Sequence, residues 1–533
     1  MKKRYIFFIF FLFTLATYAQ DLYLIKLKTK DNSSTELSNP LKFLSQRSLD
    51  RRIKYSITLD EKDIPISSDR ISQIKKLSLN YIGHSKWLNT IMVEISDSSV
   101  ISKIKDLSFV ESVNTMVRNT NSSDLKKREP KWIDLNAKST NYNYGVNNFI
   151  EQINLKPLHN QGYLGENIYI GVIDAGFPGV DKITAFKNLR SDNRILDTYD
   201  FVEKNKNVYN SNSNSHGTMV LSTMAAEVDG TYVGTAPKAN YSLYISEDNN
   251  NETPKELLYW IQAAERADSV GVDIINTSLG YTTFDDSRYD YSYQDMNGTT
   301  TFIALGAKVA IDKGILVVVA AGNEGSKSWK YITSPADVEN AFTVGANTSN
   351  NYAASFSSYG PNSSGILKPN VSALGQYIYL YSDNGQIIFN NGTSFSSPIT
   401  AGAMAIMLQK FPKTPLALLK SKVEESASLY SSPSNQLGYG IPDYYKASQE
   451  VLMTNDFKKE SEFLVFPNPF GNEITVQSKN GVNFIEIYSL IGQKILSFYN
   501  QEKINTSNLK SGFYLIKIQD KKGNFYMNKL LKK

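Results

Sequence analysis

Three rhythms of apolar and polar positions follow one another along the chain. From Gln20 to about Arg118, strand-like runs (Leu22–Lys28, Thr90–Ile95, Phe109–Val113) interleave with stretches of helical spacing. Leu41–Arg52 sets Leu41, Leu44, Ser45, Ser48 and Leu49 on one face, and Ser68–Leu79 and Ser99–Leu107 behave similarly. This predicts a small α+β module. From Gly145 to about Met453, short apolar runs recur at Ile168–Ile173, Ala239–Ile245, Ile274–Thr277, Ile315–Ala320 and Phe342–Val344. Helical segments lie between them, including His216–Glu227, Pro254–Ala267 and Ile303–Lys313. Such alternation predicts an α/β domain: a doubly wound, mainly parallel sheet with helices on both faces and ligands at the carboxyl ends of its strands. From Phe463 to Lys533 only strand patterns remain, with Ile474-Thr475-Val476, Phe484–Tyr488, Lys494–Phe498 and Phe513–Ile518 punctuated by Gly481, Gly492, Gly512 and Gly523. A small β-sandwich is expected there.

Polar stretches at 119–144 and 454–462 separate these regions and read as linkers, the first exposed to proteolysis. Tyr281–Thr300, rich in Tyr and Asp, reads as an insertion after a strand end, where a loop can shape substrate access. Residues 1–19 open with Lys2-Lys3-Arg4, continue through an apolar run from Tyr5 to Leu15, and end in Thr17-Tyr18-Ala19. The apolar core is too short to span a membrane, so a removed secretory signal is expected.

Composition narrows the chemistry. The 533 residues exceed one domain. With 57 basic and 52 acidic side chains the net charge is only +5, spread thinly, which argues against a nucleic-acid partner. There is no cysteine, which excludes a thiol nucleophile, thiolate zinc sites and disulfides. The three histidines, His84, His159 and His216, form no HExxH pattern, so a zinc hydrolase is poorly supported.

The candidate chemistry lies at the ends of the apolar runs. Asn391–Pro398 leads into Ile399–Gln409, apolar all round and therefore a buried helix. Proline is tolerated in a first helical turn, which puts Ser394 at or just before the N-terminus, where backbone N–H groups favour developing negative charge. A serine there is either a nucleophile or an ordinary N-cap. Ile168–Ile173 ends in Asp174-Ala175-Gly176; a buried carboxylate at that edge can orient an imidazole, although a loop or capping Asp fits as well. His216, in Ser215-His216-Gly217-Thr218, opens a helix whose Val220, Leu221 and Met224 are expected to face inward. His216 is the most credible base, since His84 lies in the N-terminal module and His159 in a loop before the first core strand. Ile315–Ala320 runs into Ala321-Gly322-Asn323-Glu324-Gly325, where the Asn amide can donate to an oxyanion or simply serve a turn. Ser278-Leu279-Gly280 offers a backbone edge to an extended peptide, or is only a strand end.

Taken in order, IDAGF at Asp174, SHGTM at His216, AAGNEG at Asn323 and NGTSFSSP at Ser394 resemble the motifs of the subtilisin-like serine proteases. The order Asp, His, Ser distinguishes this arrangement from the chymotrypsin and α/β-hydrolase orders, and no GxSxG elbow occurs. Asn276–Gly280 and Gly234–Ala239 extend the match over roughly 145–453. Phe395-Ser396-Ser397 departs from the Met-Ala-small residue pattern usual in the family, though all are compatible with a helix start. The resemblance implies a secreted serine endopeptidase with Ser394 as nucleophile, His216 as general acid and base, and Asp174 as its orienting partner. It implies an oxyanion hole from Asn323 with the Ser394 N–H, and a substrate edge at Ser278, Leu279 and Gly280.

Two flanking segments carry resemblances of their own. Phe43–Arg52 and Ser85–Asn89 resemble the inhibitory prodomain of exported Bacteroidetes subtilases, which implies that residues 20–118 inhibit their own enzyme. Phe466-Pro467-Asn468-Pro469, Ile487–Gln493 and Ser511–Tyr514 resemble the C-terminal sorting domain of type IX secretion, which implies passage through the periplasm to the cell surface or medium. The expected partners are protein or peptide substrates, the prodomain and that machinery. No cofactor is expected; structural calcium is common in the family, but no ligand set stands out, and Asp285-Asp286 reads as solvated loop. The rival function is a catalytically silent surface binding protein or adhesin.

Overall fold

The computed structural model describes residues 20–30, 36–118, 148–210, 214–456, 463–478, 480–489, 493–523 and 525–533. The expected signal segment, the 119–144 linker, most of the second linker and Leu490-Ile491-Gly492 lie outside them. The chain divides into two compact units, 1–445 and 446–533. No described helix is long and apolar enough to cross a membrane.

In the first unit, residues 20–118 form an antiparallel sheet of order β2-β3-β1-β4 from β1 (Asp21–Leu27), β2 (Asn80–Ser85), β3 (Thr90–Ile95) and β4 (Val110–Thr115). Helices α1 (Gln46–Lys54), α2 (Ser68–Lys75) and α3 (Ser99–Lys105) accompany it. The two-residue period of β1 and β3 explains why both are buried on both sides. Ile25, Leu27, Ile91, Val93 and Ile95 join a core with Ile74 and Ile104 from α2 and α3. The alternate residues Leu22, Leu24 and Met92 join the core of the following domain.

The helix expected over Leu41–Arg52 is displaced. A short 3-10 turn occupies Pro40–Lys42, Ser45 caps α1 by accepting from the Ser48 N–H at 3.2 Å, and the buried residues of α1 are Ser48, Arg51 and Arg52. Leu41 is exposed instead. Leu44 and Ser48 of the predicted face are buried and Ser45 and Leu49 half-buried, but Arg51 and Arg52 are buried as well, because Asp63 of the same module and Asp268 of the next domain neutralise them. Arg52 bonds Asp63 and Asp268 at 2.8 Å each, Arg51 pairs with Asp268, and Lys313 bonds Asp63 at 2.8 Å. β2 also departs from expectation, because the helix begun at Ser68 ends at Lys75 rather than continuing to Leu79.

The central sheet contains β5 (Tyr169–Asp174), β6 (Ile195–Asp200), β7 (Asn240–Ile245), β8 (Ile274–Thr277), β9 (Leu316–Ala320), β10 (Phe342–Asn347) and β11 (Val371–Leu374). Its order is β11-β10-β9-β8-β5-β7-β6, and every pairing is parallel. The sequence pattern misses β6 and β11: β6 is an edge strand with several half-buried positions, and β11 is four residues long. Helices cover both faces. On β8, Thr277 accepts from the indole N–H of Trp260 on α5 (Lys255–Val270), whereas Asn276 accepts from Ser397 on α7 (Thr393–Lys410). Adjacent strand residues point to opposite faces, so α5 and α7 lie on opposite sides. α6 (Phe302–Asp312) packs beside α5, and α4 (His216–Ala225) beside α7.

The second unit folds as two antiparallel sheets: a three-stranded one of Phe463–Phe466, Glu473–Ser478 and Lys503–Asn505, and a four-stranded one of Val482–Tyr488, Lys494–Tyr499, Gly512–Asp520 and Phe525–Lys532. Ile474, Val476, Ile485, Ile487, Ile516 and Ile518 fill its own core.

Candidate active site

Parallel strands deliver their C-terminal residues to one edge of the sheet, and the candidate residues sit along it. β5 ends in Asp174, fully buried, and α4 opens with His216, equally buried. The His216 Nδ1–H donates to Asp174 Oδ1 over 2.7 Å. A carboxylate acceptor places the ring proton on Nδ1 and makes Nε2 the basic nitrogen. Asp174 Oδ1 also accepts from the Ala175 N–H at 2.8 Å. The glycine after the histidine is required by close approach: a Cβ on Gly217 would lie 2.4 Å from Gly176 O and 3.1 Å from Asp174 Cβ. All ten residues of α4 are buried, so the expected single inward face of Val220, Leu221 and Met224 is a helix enclosed on every side. The imidazole packs against Phe395, the residue after Ser394, with ring centroids 5.6 Å apart.

Gly392 is the N-cap of α7 and Ser394 its second residue, where backbone N–H groups have no intrahelical acceptor. The buried apolar helix expected here is present, with every residue from Thr393 to Leu408 buried. Pro398, however, is the sixth residue of the helix and not in its first turn. It removes the N–H that would bond the Ser394 carbonyl four residues back. The Ser278 hydroxyl supplies the donor, at 2.7 Å, and the Ser394 hydroxyl donates in turn to the Ser278 carbonyl at 3.2 Å.

Asn323 lies beyond the end of β9, after a turn at Gly322 whose φ of +107° suits glycine. Its amide oxygen accepts from the Thr393 N–H at 2.9 Å and the Thr393 hydroxyl at 3.0 Å. Two donors on one edge identify that edge as oxygen and the other as the donating NH2. Ser278 and Leu279 are buried just beyond β8 and Gly280 is half-buried. The other histidines are elsewhere: His159, in the short helix Lys156–Asn160 rather than a loop, sits 3.0 Å from the Thr235 carbonyl, and His84 lies on β2 with its Nδ1 against the Tyr81 hydroxyl.

One feature escaped the sequence reading. Glu247, Glu252 and Glu256 are buried, with one carboxylate oxygen from each within 4.8 Å of the others. Glu256 accepts from the Asp248 N–H at 2.9 Å and the Thr253 N–H at 3.1 Å, and Glu247 accepts from the Tyr281 hydroxyl. Burial, reinforced by these carboxylates, pushes that hydroxyl well above its ordinary pKa. An all-oxygen set of this kind could hold a hard cation such as calcium. The flanking Asp285 and Asp286 are ordered rather than merely solvated, holding the Glu252 N–H and the Arg288 guanidinium. The acids stand on either side of Asn249-Asn250-Asn251, and their convergence depends on the fold of that loop.

Residues 165–440 match the Subtilase family. Residues 22–131 match the Peptidase S8 propeptide domain of Bacteroidota, and 464–533 match the Secretion system C-terminal sorting domain. Among sequence relatives, subtilisin NAT of Bacillus subtilis subsp. natto is 34% identical over 302 residues, spanning 56% of this chain and 70% of that protein. Subtilisin of Bacillus pumilus is 33% identical and is covered to 98%. Among solved structures, the epidermin leader peptide processing serine protease of Staphylococcus aureus aligns with a TM-score of 0.54 at 19% identity, over 80% of this chain and 99% of that one. That last likeness concerns the fold alone.

Proposed function

The chain belongs to the subtilase family, and we propose that it hydrolyses peptide bonds through an acyl-enzyme formed on Ser394. As a serine peptidase with an S8 propeptide and a sorting domain, it is secreted or displayed at the cell surface. The observation that supports the reading is the buried 2.7 Å contact between Asp174 and His216, which leaves Nε2 as the ring's accepting nitrogen.

In the proposed reaction the Ser394 hydroxyl rotates away from the Ser278 carbonyl and gives its proton to His216 Nε2 as Oγ attacks the substrate carbonyl carbon. Asp174 stabilises the resulting imidazolium without taking its proton. The carbonyl oxygen, now negative, is met by the Ser394 N–H and the Asn323 NH2, donors already held by the helix start and by Thr393. The C–N bond breaks as Nε2 returns the proton to the departing amine. Water, deprotonated by the same nitrogen, then attacks the acyl carbon, and the ester C–Oγ bond breaks as Nε2 returns that proton to Ser394 Oγ, releasing the acid. Ser278, Leu279 and Gly280 are the strand-end segment against which an extended substrate would pair. The N-terminal module acts as inhibitor until it is removed, and the C-terminal domain engages the type IX secretion machinery.

Labelling with a fluorophosphonate probe tests this. Processed wild-type protein is expected to label, and Ser394→Ala to lose both labelling and self-processing. Equal labelling of the two proteins would remove Ser394 from the mechanism. Processed, folded wild type that does not label would favour the silent binding protein.

A further inference from the structure

The insertion after β8 holds the exit of the N-terminal module in the manner of a peptide-binding surface. Beyond β4 the chain continues through Met116, Val117 and Arg118. Met116 and Val117 pack against the core of the peptidase domain. They line a cleft of about 430 Å3 with Phe284, Tyr291, Phe302 and Leu305. The Arg118 N–H donates to the Arg288 carbonyl at 2.8 Å, the way an added strand pairs with an edge. Its guanidinium lies 4.9 Å from the centre of the Tyr291 ring and pairs with Asp295. An aliphatic pair seated on aromatics, a main-chain bond and an arginine between an aromatic face and a carboxylate together make a recognition set.

The surface owes its shape to its own bonds. Tyr291 N–H donates to the Thr282 carbonyl at 2.8 Å, Asp295 accepts from the Ser292 N–H at 2.8 Å, and Phe284 packs edge-on against Tyr291. Removal of the prodomain therefore uncovers a preformed apolar patch edged by Asp295. Such patches on secreted proteins mark binding sites.

We propose that this face is an exosite for an extended polypeptide carrying an aliphatic pair followed by arginine, occupied by Met116-Val117-Arg118 in the proprotein and by substrate segments after maturation. The occupant follows from the segment already seated there. Its use by substrates rests on the peptidase reading; the docking surface itself does not.

The test uses processed protein treated with the fluorophosphonate, titrated with a fluorescein-labelled nonapeptide of residues 112–120. Saturable binding is expected, about tenfold tighter than for the same peptide with Arg118→Gln. In the Asp295→Asn protein the difference should shrink to the part that the Tyr291 ring face supplies. Absence of saturable binding overturns the proposal. So do equal affinities of the two peptides for unaltered protein, or a tenfold difference that survives Asp295→Asn. Protein that fails to label but still binds the peptide would remove the peptidase reading and keep the surface; the reverse would remove the surface alone.

Discussion

The Ser278 hydroxyl donates to the Ser394 carbonyl at 2.7 Å because Pro398 has no N–H to offer it. A proline one turn into a buried helix leaves an acceptor that must be satisfied from outside the helix. The strand end that supplies the bond is the segment proposed to meet substrate, so the position of the nucleophile and the edge of the cleft are mechanically joined.

Ser278→Ala should therefore do more than trim a cleft. It strands a buried carbonyl, at about 1–3 kcal/mol, and loosens the first turn of α7. The expected result is a drop of roughly tenfold in kcat with a smaller change in KM, read by steady-state kinetics corrected by active-site titration. A change confined to KM would limit Ser278 to substrate contact.

Asn323→Ala and Asn323→Asp separate the two edges of the amide. Asp keeps the acceptor for Thr393 and loses the donor; Ala loses both. Both should lower kcat by about 10²–10³, a magnitude borrowed from subtilisin rather than obtained from this chain. Near-normal turnover in the Asp variant would assign Asn323 to holding Thr393 alone.

Asp63→Asn addresses the buried charges between prodomain and peptidase. Burial pushes the Asp63 carboxyl up, but Lys313 and Arg52 more than offset it and hold the group below its ordinary value. Losing this anion leaves Lys313 and Arg52 under-compensated, at about 3–5 kcal/mol. A carboxylate with a lowered folded pKa contributes in full above its unfolded value of about 3.9, and that contribution disappears as pH falls through the folded value. In the Ser394→Ala full chain, the stability lost to Asp63→Asn should be constant from about pH 8 to 5 and shrink below about pH 4. Denaturant unfolding across that range measures it. A difference that already vanishes by pH 6 would mean that Asp63 is not the group lost.

The order of Asp174, His216, Asn323 and Ser394 was legible in the residues, as was the parallel sheet. These depend on local period and on glycine, proline and serine chemistry, which operate over a few residues. The tertiary structure decided the rest. Arg51 and Arg52 resemble surface residues until Asp268, more than two hundred positions away, neutralises them inside the protein. Pro398 could be placed one turn deeper than expected because Ser278 arrives from another strand. Likewise, the grip of Tyr291 and Asp295 on Arg118 exists only once the insertion folds back over the N-terminal module. Periodicity reports which face of an element is apolar. It carries no information about which distant charge or donor will meet that face, and burial of a polar group depends on that partner.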